Sequence, residues 1–130
     1  MNTTSGLSLP QAEQTVHLLL GGPALSDSKA LACTGRWVLG NEQGQVLAAD
    51  ALPALAELSI ELRFGQLVLR APGMLRLDIE ADVIEDDPDS FSAWQEDGQA
   101  VQLVDEGDLP AEWFSRYVGQ ALRLLKRVPR

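Results

Sequence analysis

Few residues in this chain are of the types that perform covalent or acid–base chemistry, and none stands in a spacing typical of an active site. The single cysteine, Cys33, shares an alternating apolar pattern with Trp37, which predicts a small hydrophobic core residue. No base lies near it in the sequence to activate its thiol. The single histidine, His17, lies in a short apolar run, where a structural or half-exposed position is expected. We therefore predict no catalytic residue from these two side chains.

Two polar segments invite a functional interpretation, but neither has the spacing that the chemistry requires. The segment 85–89 holds four acids that could offer oxygen ligands to calcium. It lacks the glycine and the terminal glutamate of an EF-hand loop, so we interpret it as a solvated loop. The segment 26–29 holds two serines and a lysine within a predicted polar turn, and no Ser–Lys nucleophile is expected there. No metal ligand follows from either segment.

The three tryptophans, Trp37, Trp94 and Trp113, could form an aromatic surface for a ligand. Tryptophans in strands and on a helix face usually supply core area, so we predict core positions for them. The glycine pairs match neither GxGxxG after a strand nor GxxxxGK[ST], and no phosphate loop is expected.

The charge of the chain disfavours several classes of partner. Its net charge of −9 opposes nucleic acid, because phosphate binding depends on clustered Lys and Arg. Eleven of the nineteen acids lie between Glu80 and Asp108, which we interpret as a solvated face. The early apolar run Val16–Leu20 is far shorter than the roughly 20 residues of a membrane span, so no membrane partner is expected. One cysteine and no signal-like start predict a cytoplasmic location.

Frequent turn signals divide the chain into short alternating segments, which predicts a mainly β fold, a small β-barrel built of antiparallel hairpins. Residues 1–14, rich in Thr, Ser, Gly, Pro and Gln, predict a flexible lead-in, and residues 15–130 a single domain. A buried strand is expected at 15–20. A hairpin is expected to join Ala30–Leu39 to Gln45–Ala49 through a glycine-containing turn.

The middle of the chain predicts a three-stranded meander. A brief helical turn around Pro53 leads into Leu58–Phe64, where apolar and polar residues alternate without exception. Gly65-Gln66 predicts the two-residue loop of a type II′ hairpin turn, with Leu67–Arg70 as the returning strand. The third strand is predicted across residues 75–80, where every second residue is apolar.

The last part of the chain predicts a further hairpin and one helix. Asp97-Gly98 is a strong hairpin signal between two alternating segments. An amphipathic C-terminal helix is predicted at about 109–118, with Asp108 as its N-terminal cap and Gly119 at its end. Ala121–Val128 fits either a closing strand or a helical extension, and we prefer the strand.

Three local patterns follow one another along the chain: GRWVLGNEQGQVL at 35–47, LPAL at 52–55, and DEGD with AEWFS and VG within 105–119. In this order and spacing they resemble the N-terminal β-barrel domain of MOSC (molybdenum-cofactor sulfurase C-terminal) proteins, over roughly residues 16–128. The resemblance implies a β-barrel that, in full-length relatives, packs beside a C-terminal MOSC domain and helps to hold a molybdopterin cofactor. Those relatives reduce N-hydroxylated compounds or handle sulfur for the cofactor.

This chain departs from the family at the positions that the resemblance assigns to the cofactor. The family carries a Lys-Ser pair after the first strand and an arginine two residues before the hairpin tryptophan. Gly21–Pro23 and Gly35 occupy those places here, and Arg36 is displaced by one residue. Because strand side chains alternate, Arg36 faces the opposite side unless a bulge intervenes, yet it remains the one candidate for cofactor binding. Asp50 stands where relatives carry arginines and would repel a phosphate-bearing pterin.

Two hypotheses for function follow. The first is a non-catalytic β-barrel module that binds a protein partner or a small ligand and carries no cofactor when alone. The second is a subunit of a split molybdenum-cofactor enzyme completed by a separate MOSC domain, which in relatives supplies the molybdenum-ligating cysteine; molybdopterin enters only through the resemblance. The second hypothesis rests on the architecture of the family, in which a MOSC domain would begin near Arg130. A monomer or weak homodimer is expected.

Overall fold

The structure, a computed structural model, describes residues 17–24, 35–81 and 88–128. Several features predicted from the sequence fall outside these ranges and stay predictions: the lead-in 1–14, Cys33, the segment 26–29, and residues 85–87 of the acidic segment.

The described residues form seven strands, one α-helix and two 3₁₀ helices, which confirms the mainly β class with a C-terminal helix. The strands are β1 (Trp37–Gly40), β2 (Ser59–Arg63), β3 (Gln66–Arg70), β4 (Leu77–Glu80), β5 (Phe91–Glu96), β6 (Gln99–Asp105) and β7 (Arg123–Lys126). The helices are the 3₁₀ helices Pro53–Glu57 and Pro88–Ser90 and the α-helix α1 (Asp108–Val118). Two antiparallel sheets result, one in the order β1-β7-β6-β5 and one in the order β2-β3-β4.

The three-stranded sheet is the predicted meander, but its first turn differs from the prediction. Arg63 pairs with Gln66, so the turn residues are Phe64 and Gly65, not Gly65-Gln66. Their φ angles are 50° and 77°. Positive φ at both positions is typical of a type I′ turn, whereas the predicted type II′ turn requires it only at the first.

The third strand of the meander begins later than the alternation predicts. A turn at Ala71–Met74 is closed by a hydrogen bond from the Met74 N–H to the Ala71 carbonyl, and β4 starts at Leu77. Leu75 consequently lies outside the sheet and is 88% exposed.

The four-stranded sheet is completed into a barrel-like ring by one short segment. Gln45 forms a parallel bridge with Gln95 of β5, and Val46 forms an antiparallel bridge with Gly40 of β1. The Val46 N–H donates to the Gln95 carbonyl over 2.8 Å. The predicted hairpin with 45–49 is thus reduced to single bridges, because this segment divides its backbone hydrogen bonds between two strands.

The interior of the ring is a small hydrophobic cluster. Val38, Leu103 and Leu125 are at most 2% exposed, and the half-buried Trp94 packs against them. Gly40 leaves room for this packing, because a Cβ at that position would overlap the six-membered ring of Trp94. The absence of a side chain at Gly40 therefore allows the Trp94 indole to fill the interior of the ring.

The larger core lies against the outer face of the ring. Alternation along β1 and β7 directs Trp37, Leu39 and Leu124 to this face. The β2-β3-β4 sheet, the 3₁₀ helix Pro53–Glu57 and α1 cover it. Trp37 and Phe114 are the largest side chains that are fully buried in this core. The ring and the meander are therefore joined by one continuous apolar layer.

Helix α1 begins within one residue of its predicted start, but the predicted cap is wrong. Gly107 is the capping residue, with φ 106°, while Asp108 is already helical and its carboxylate accepts a hydrogen bond of 3.0 Å from Arg123. The Asp105 carboxylate accepts the Gly107 N–H over 2.8 Å instead. Gly119 ends the helix as predicted, in the left-handed conformation at φ 91°. Within the described ranges no helix has the length and apolarity to cross a membrane.

Strand β7 confirms the strand alternative for residues 121–128. The Ser115 hydroxyl accepts the Leu122 N–H over 2.8 Å and so fixes the connection from α1 into this strand. Just past β7, Arg127 donates two hydrogen bonds, of 2.8 and 2.6 Å, to the Glu96 carboxylate of β5. Bonding to the charged form holds the pKa of Glu96 below its ordinary value.

We predict that Gly40→Ala destabilises the protein by about 1–3 kcal/mol, the usual cost of overpacking a filled interior. The added methyl group overlaps the Trp94 ring. Urea denaturation followed by circular dichroism measures the loss. In a Trp94→Leu background the same substitution should cost clearly less, since the ring is no longer in the way. Equal costs in the two backgrounds would show that Trp94 does not fill the space beside Gly40.

Candidate functional site

A polar cluster is buried where β1, β7 and the end of β6 meet. Trp37 lies opposite Lys126 in the β1–β7 register, so both side chains lie on the core-facing side of the sheet. Glu106 follows β6, and its N–H donates to the Leu124 carbonyl over 2.9 Å. The Trp37 indole N–H donates to Glu106 Oε2 over 2.7 Å, and Lys126 Nζ lies 3.8 Å from the same oxygen. One carboxylate thus serves two buried polar groups.

This cluster is almost closed to solvent. The side chains of Lys126 and Glu106 are 3% and 12% exposed. A buried ammonium is costly unless a counter-ion accompanies it, and at 3.8 Å Glu106 acts as that counter-ion without a direct hydrogen bond. Among the residues that the structure describes, no group of His, Cys, Asp or Glu side chains could hold a metal ion. The geometry fits a structural role.

Sequence reasoning missed both Glu106 and Lys126. The available signal was the alternation in the predicted closing strand, which puts Lys126 on the same face as the apolar Leu124. The partner carboxylate was not predictable in the same way, because Glu106 lies in a connection and its position depends on the folded chain.

Arg36, the predicted candidate for cofactor binding, lies immediately before β1 and is half-buried. Its guanidinium donates to the Ala81 carbonyl, just after β4, over 3.1 Å. Its own carbonyl accepts the Arg127 N–H over 2.7 Å. Arg36 therefore connects the ring to the end of the meander, and its role toward a cofactor stays a prediction.

The other residues that the sequence singled out are dispersed. His17 is exposed, and its Nδ1 is hydrogen-bonded to the Gly22 carbonyl at 2.9 Å. Trp37 and Trp113 are buried, as predicted for core residues, and Trp94 packs half-buried against the ring interior. The structure does not bring these side chains together into one site.

An open groove of about 420 Å³ separates α1 from the turn between β3 and β4. Leu75 and Leu109, 88% and 72% exposed, lie at this groove. The buried Trp113 lines it, and its indole N–H donates to the Leu75 carbonyl over 2.6 Å. This bond holds the turn against the helix. Glu112 and Arg116 supply the charged part of the lining.

A second depression, of about 470 Å³, shares Glu112 with the groove and is therefore adjacent to it. Three carboxylates line it, those of Glu42, Asp108 and Glu112. Arg123 also lines it, and its guanidinium is shared between Asp105, through two hydrogen bonds of 2.7 and 3.0 Å, and Asp108, through one of 3.0 Å, so the carboxylates outnumber the cation. The end of the groove near the start of α1 is therefore acidic.

Comparison of the chain with known proteins identifies its family. The model of the MOSC N-terminal beta barrel domain matches residues 22–121. The chain belongs to this family. The resemblance noted in the sequence is thereby confirmed. The chain is also similar to a protein of Bordetella bronchiseptica whose solution structure is known, with 45% identity over 90% of each chain and a TM-score of 0.79. No curated protein matches the chain.

The phosphate-bearing pterin that the resemblance to MOSC proteins implies would compete with partners that the described basic residues already have within the chain. A phosphate-bearing pterin needs Lys or Arg side chains that are available to it. Seven of the eight described basic residues form ion pairs within the chain: Arg63, Arg70, Arg76, Arg116, Arg123, Lys126 and Arg127. The eighth, Arg36, donates to a backbone carbonyl. Three of them, Arg63, Arg70 and Arg76, lie around the one carboxylate of Glu61, so that a pterin phosphate there would compete with Glu61 for them.

We predict that Glu106→Gln destabilises this MOSC N-terminal domain by about 3 kcal/mol, because it leaves the Lys126 ammonium buried without a counter-ion. The amide oxygen can still accept the Trp37 N–H, so the loss reports on the ion pair. Adding Lys126→Met should restore most of the stability, since the buried charge is then gone. Urea denaturation at neutral pH measures the stability of Glu106→Gln, Lys126→Met and the double variant.

The single and double variants form a double-mutant cycle, and Glu112→Gln is its matched control. This substitution breaks the exposed pair with Arg116 and should change stability by less than about 0.5 kcal/mol. If the losses of Glu106→Gln and Lys126→Met simply add, the two side chains are not coupled and our interpretation of the cluster is wrong.

Proposed function

We propose that this chain is a non-catalytic MOSC N-terminal-type module that binds a protein partner through the groove between α1 and the β3–β4 turn. The observation that supports the proposal is the exposure of Leu75 and Leu109 at a groove lined by the buried Trp113. A single exposed leucine is ordinary. Two of them at one apolar concavity form a patch of the kind around which interfaces are built.

The contacts around the groove support a protein partner over a small ligand. Leu75 and Leu109 are mostly exposed, so a small molecule seated in the concavity would leave much of their apolar surface in water. A protein surface could cover both side chains. Glu112 and Arg116, paired at 2.8 Å and both largely exposed, resemble the polar rim of an interface.

The remaining parts of the proposal rest on the chemistry of the residues. The carboxylate of Glu106 is occupied by Trp37 and Lys126, so the most buried acid among the described ion pairs is not available as a catalytic base. We propose a cytoplasmic location, which the single Cys33 supports.

A second candidate function is a subunit of a split molybdenum-cofactor enzyme, with a separately encoded MOSC domain as the partner in the groove. Membership in the MOSC N-terminal family favours this identity for the partner. Because the described cations are engaged within the chain, the partner would then hold the pterin phosphate.

Site-specific photocrosslinking tests the proposal. A benzophenone amino acid at position 109, in the tagged chain expressed in its own host, should give one discrete adduct, because this side chain lies at the interface. A second probe at position 64 is the matched control, since Phe64 is 97% exposed but lies on the β2–β3 turn and does not line the groove.

Adding Leu75→Ser should lower the yield at position 109 by roughly tenfold, because it removes an apolar contact without disturbing the core. An adduct of equal yield at position 64, or a yield at position 109 that is indifferent to Leu75→Ser, would overturn the proposal. Mass spectrometry of the adduct then distinguishes a MOSC domain from another protein.

A further inference from the structure

We infer that the partner segment in the groove carries a basic side chain next to its apolar anchor, with the anchor between Leu75 and Leu109 and the basic group at the acidic end of the groove. The inference rests on the proposed function and adds the chemistry of the partner. The carboxylates concerned are those of Glu42, Asp108 and Glu112, which line the adjoining depression.

The two parts of this surface are close enough for one short segment. Asp108 and Leu109 are neighbours at the start of α1, and Glu112 lies one turn further along the same helix. Residues one turn apart on a helix are about 5–6 Å apart at their Cβ atoms. A lysine or arginine beside an anchored apolar residue therefore reaches these carboxylates.

The chain itself balances the charges at this end of the groove only in part, because four carboxylates, those of Glu42, Asp105, Asp108 and Glu112, face the two guanidinium groups of Arg116 and Arg123. Asp108, 97% exposed, is paired with Arg123 at 3.0 Å, and Glu112 is paired with Arg116 at 2.8 Å, whereas Glu42 forms no ion pair with any residue that the structure describes. Arg123 makes two of its hydrogen bonds with Asp105, which lies outside the depression and offsets its charge. An excess of negative charge remains, and a cationic group complements it.

The charge of the whole chain acts in the same direction. A net charge of −9 attracts basic partners and repels acidic ones during encounter. At physiological ionic strength the screening length is about 8 Å, so the local carboxylates decide which segment stays bound. An acidic segment would meet repulsion, and a purely apolar one would leave the excess negative charge without a counter-charge.

A phage-displayed library of random peptides, selected on the immobilised full chain, tests this inference. Selected peptides should share a large apolar residue with Lys or Arg within a few positions. A synthetic peptide of the selected sequence should bind roughly tenfold more weakly to the variant Glu42→Gln/Asp108→Asn/Glu112→Gln, and its affinity for this variant should depend less on salt. Leu75→Ser should weaken the same peptide, and Phe64→Ser should not.

The outcomes separate this inference from the proposed function. Peptides that share an apolar anchor, depend on Leu75 and lack basic residues overturn the inference and leave the groove as the binding site. Acidic peptides overturn it as well. Peptides that bind regardless of both Leu75→Ser and the triple variant overturn the inference together with the groove, as does a selection that enriches no sequence.

Discussion

One carboxylate, that of Glu106, is the constraint on which the arrangement of the described fold depends. It accepts the indole N–H of Trp37 from β1 and is the counter-ion of Lys126 from β7, while its own backbone is bonded to Leu124. Burying either partner without it would cost free energy, because the ammonium would lack a counter-ion and the indole N–H an acceptor. Helix α1 begins two residues later, directly after this connection. The ring, the large core and the groove on α1 are thus positioned together.

Much of the fold could be predicted because its signals are local. The alternation in β2 to β4, the Asp97-Gly98 turn and the glycine that ends α1 each depend on a few neighbouring residues. The details that the sequence predicted wrongly, a turn and a helix cap, were local too. The β2–β3 turn falls at Phe64-Gly65, because the register puts Arg63 opposite Gln66 and gives a phenylalanine a positive φ, which its residue type does not suggest. Gly107 is the cap in place of Asp108, whose carboxylate accepts a hydrogen bond from Arg123 instead.

The site was far less predictable, because it consists of long-range contacts. Gln45 and Val46 close the ring by contacting strands that are distant from each other in sequence. The groove exists because β4 starts at Leu77 and leaves Leu75 beside Trp113, which lies nearly forty residues further along the chain. Arg36 could be identified as a cation near β1, but its bond to the Ala81 carbonyl depends on the packing of ring against meander. Periodicity contains no information on such pairings.

Family membership and site chemistry lead to different expectations, and the site chemistry favours a protein partner over a pterin. The described basic residues are engaged within the chain, whereas apolar side chains are exposed on α1 and the adjoining turn. Native mass spectrometry of the tagged chain, isolated gently from its own host, tests most directly whether the module acts by binding a protein. We expect a complex with a second protein and no pterin mass on this chain. A chain that carries a pterin and has no protein partner would contradict the protein-binding role.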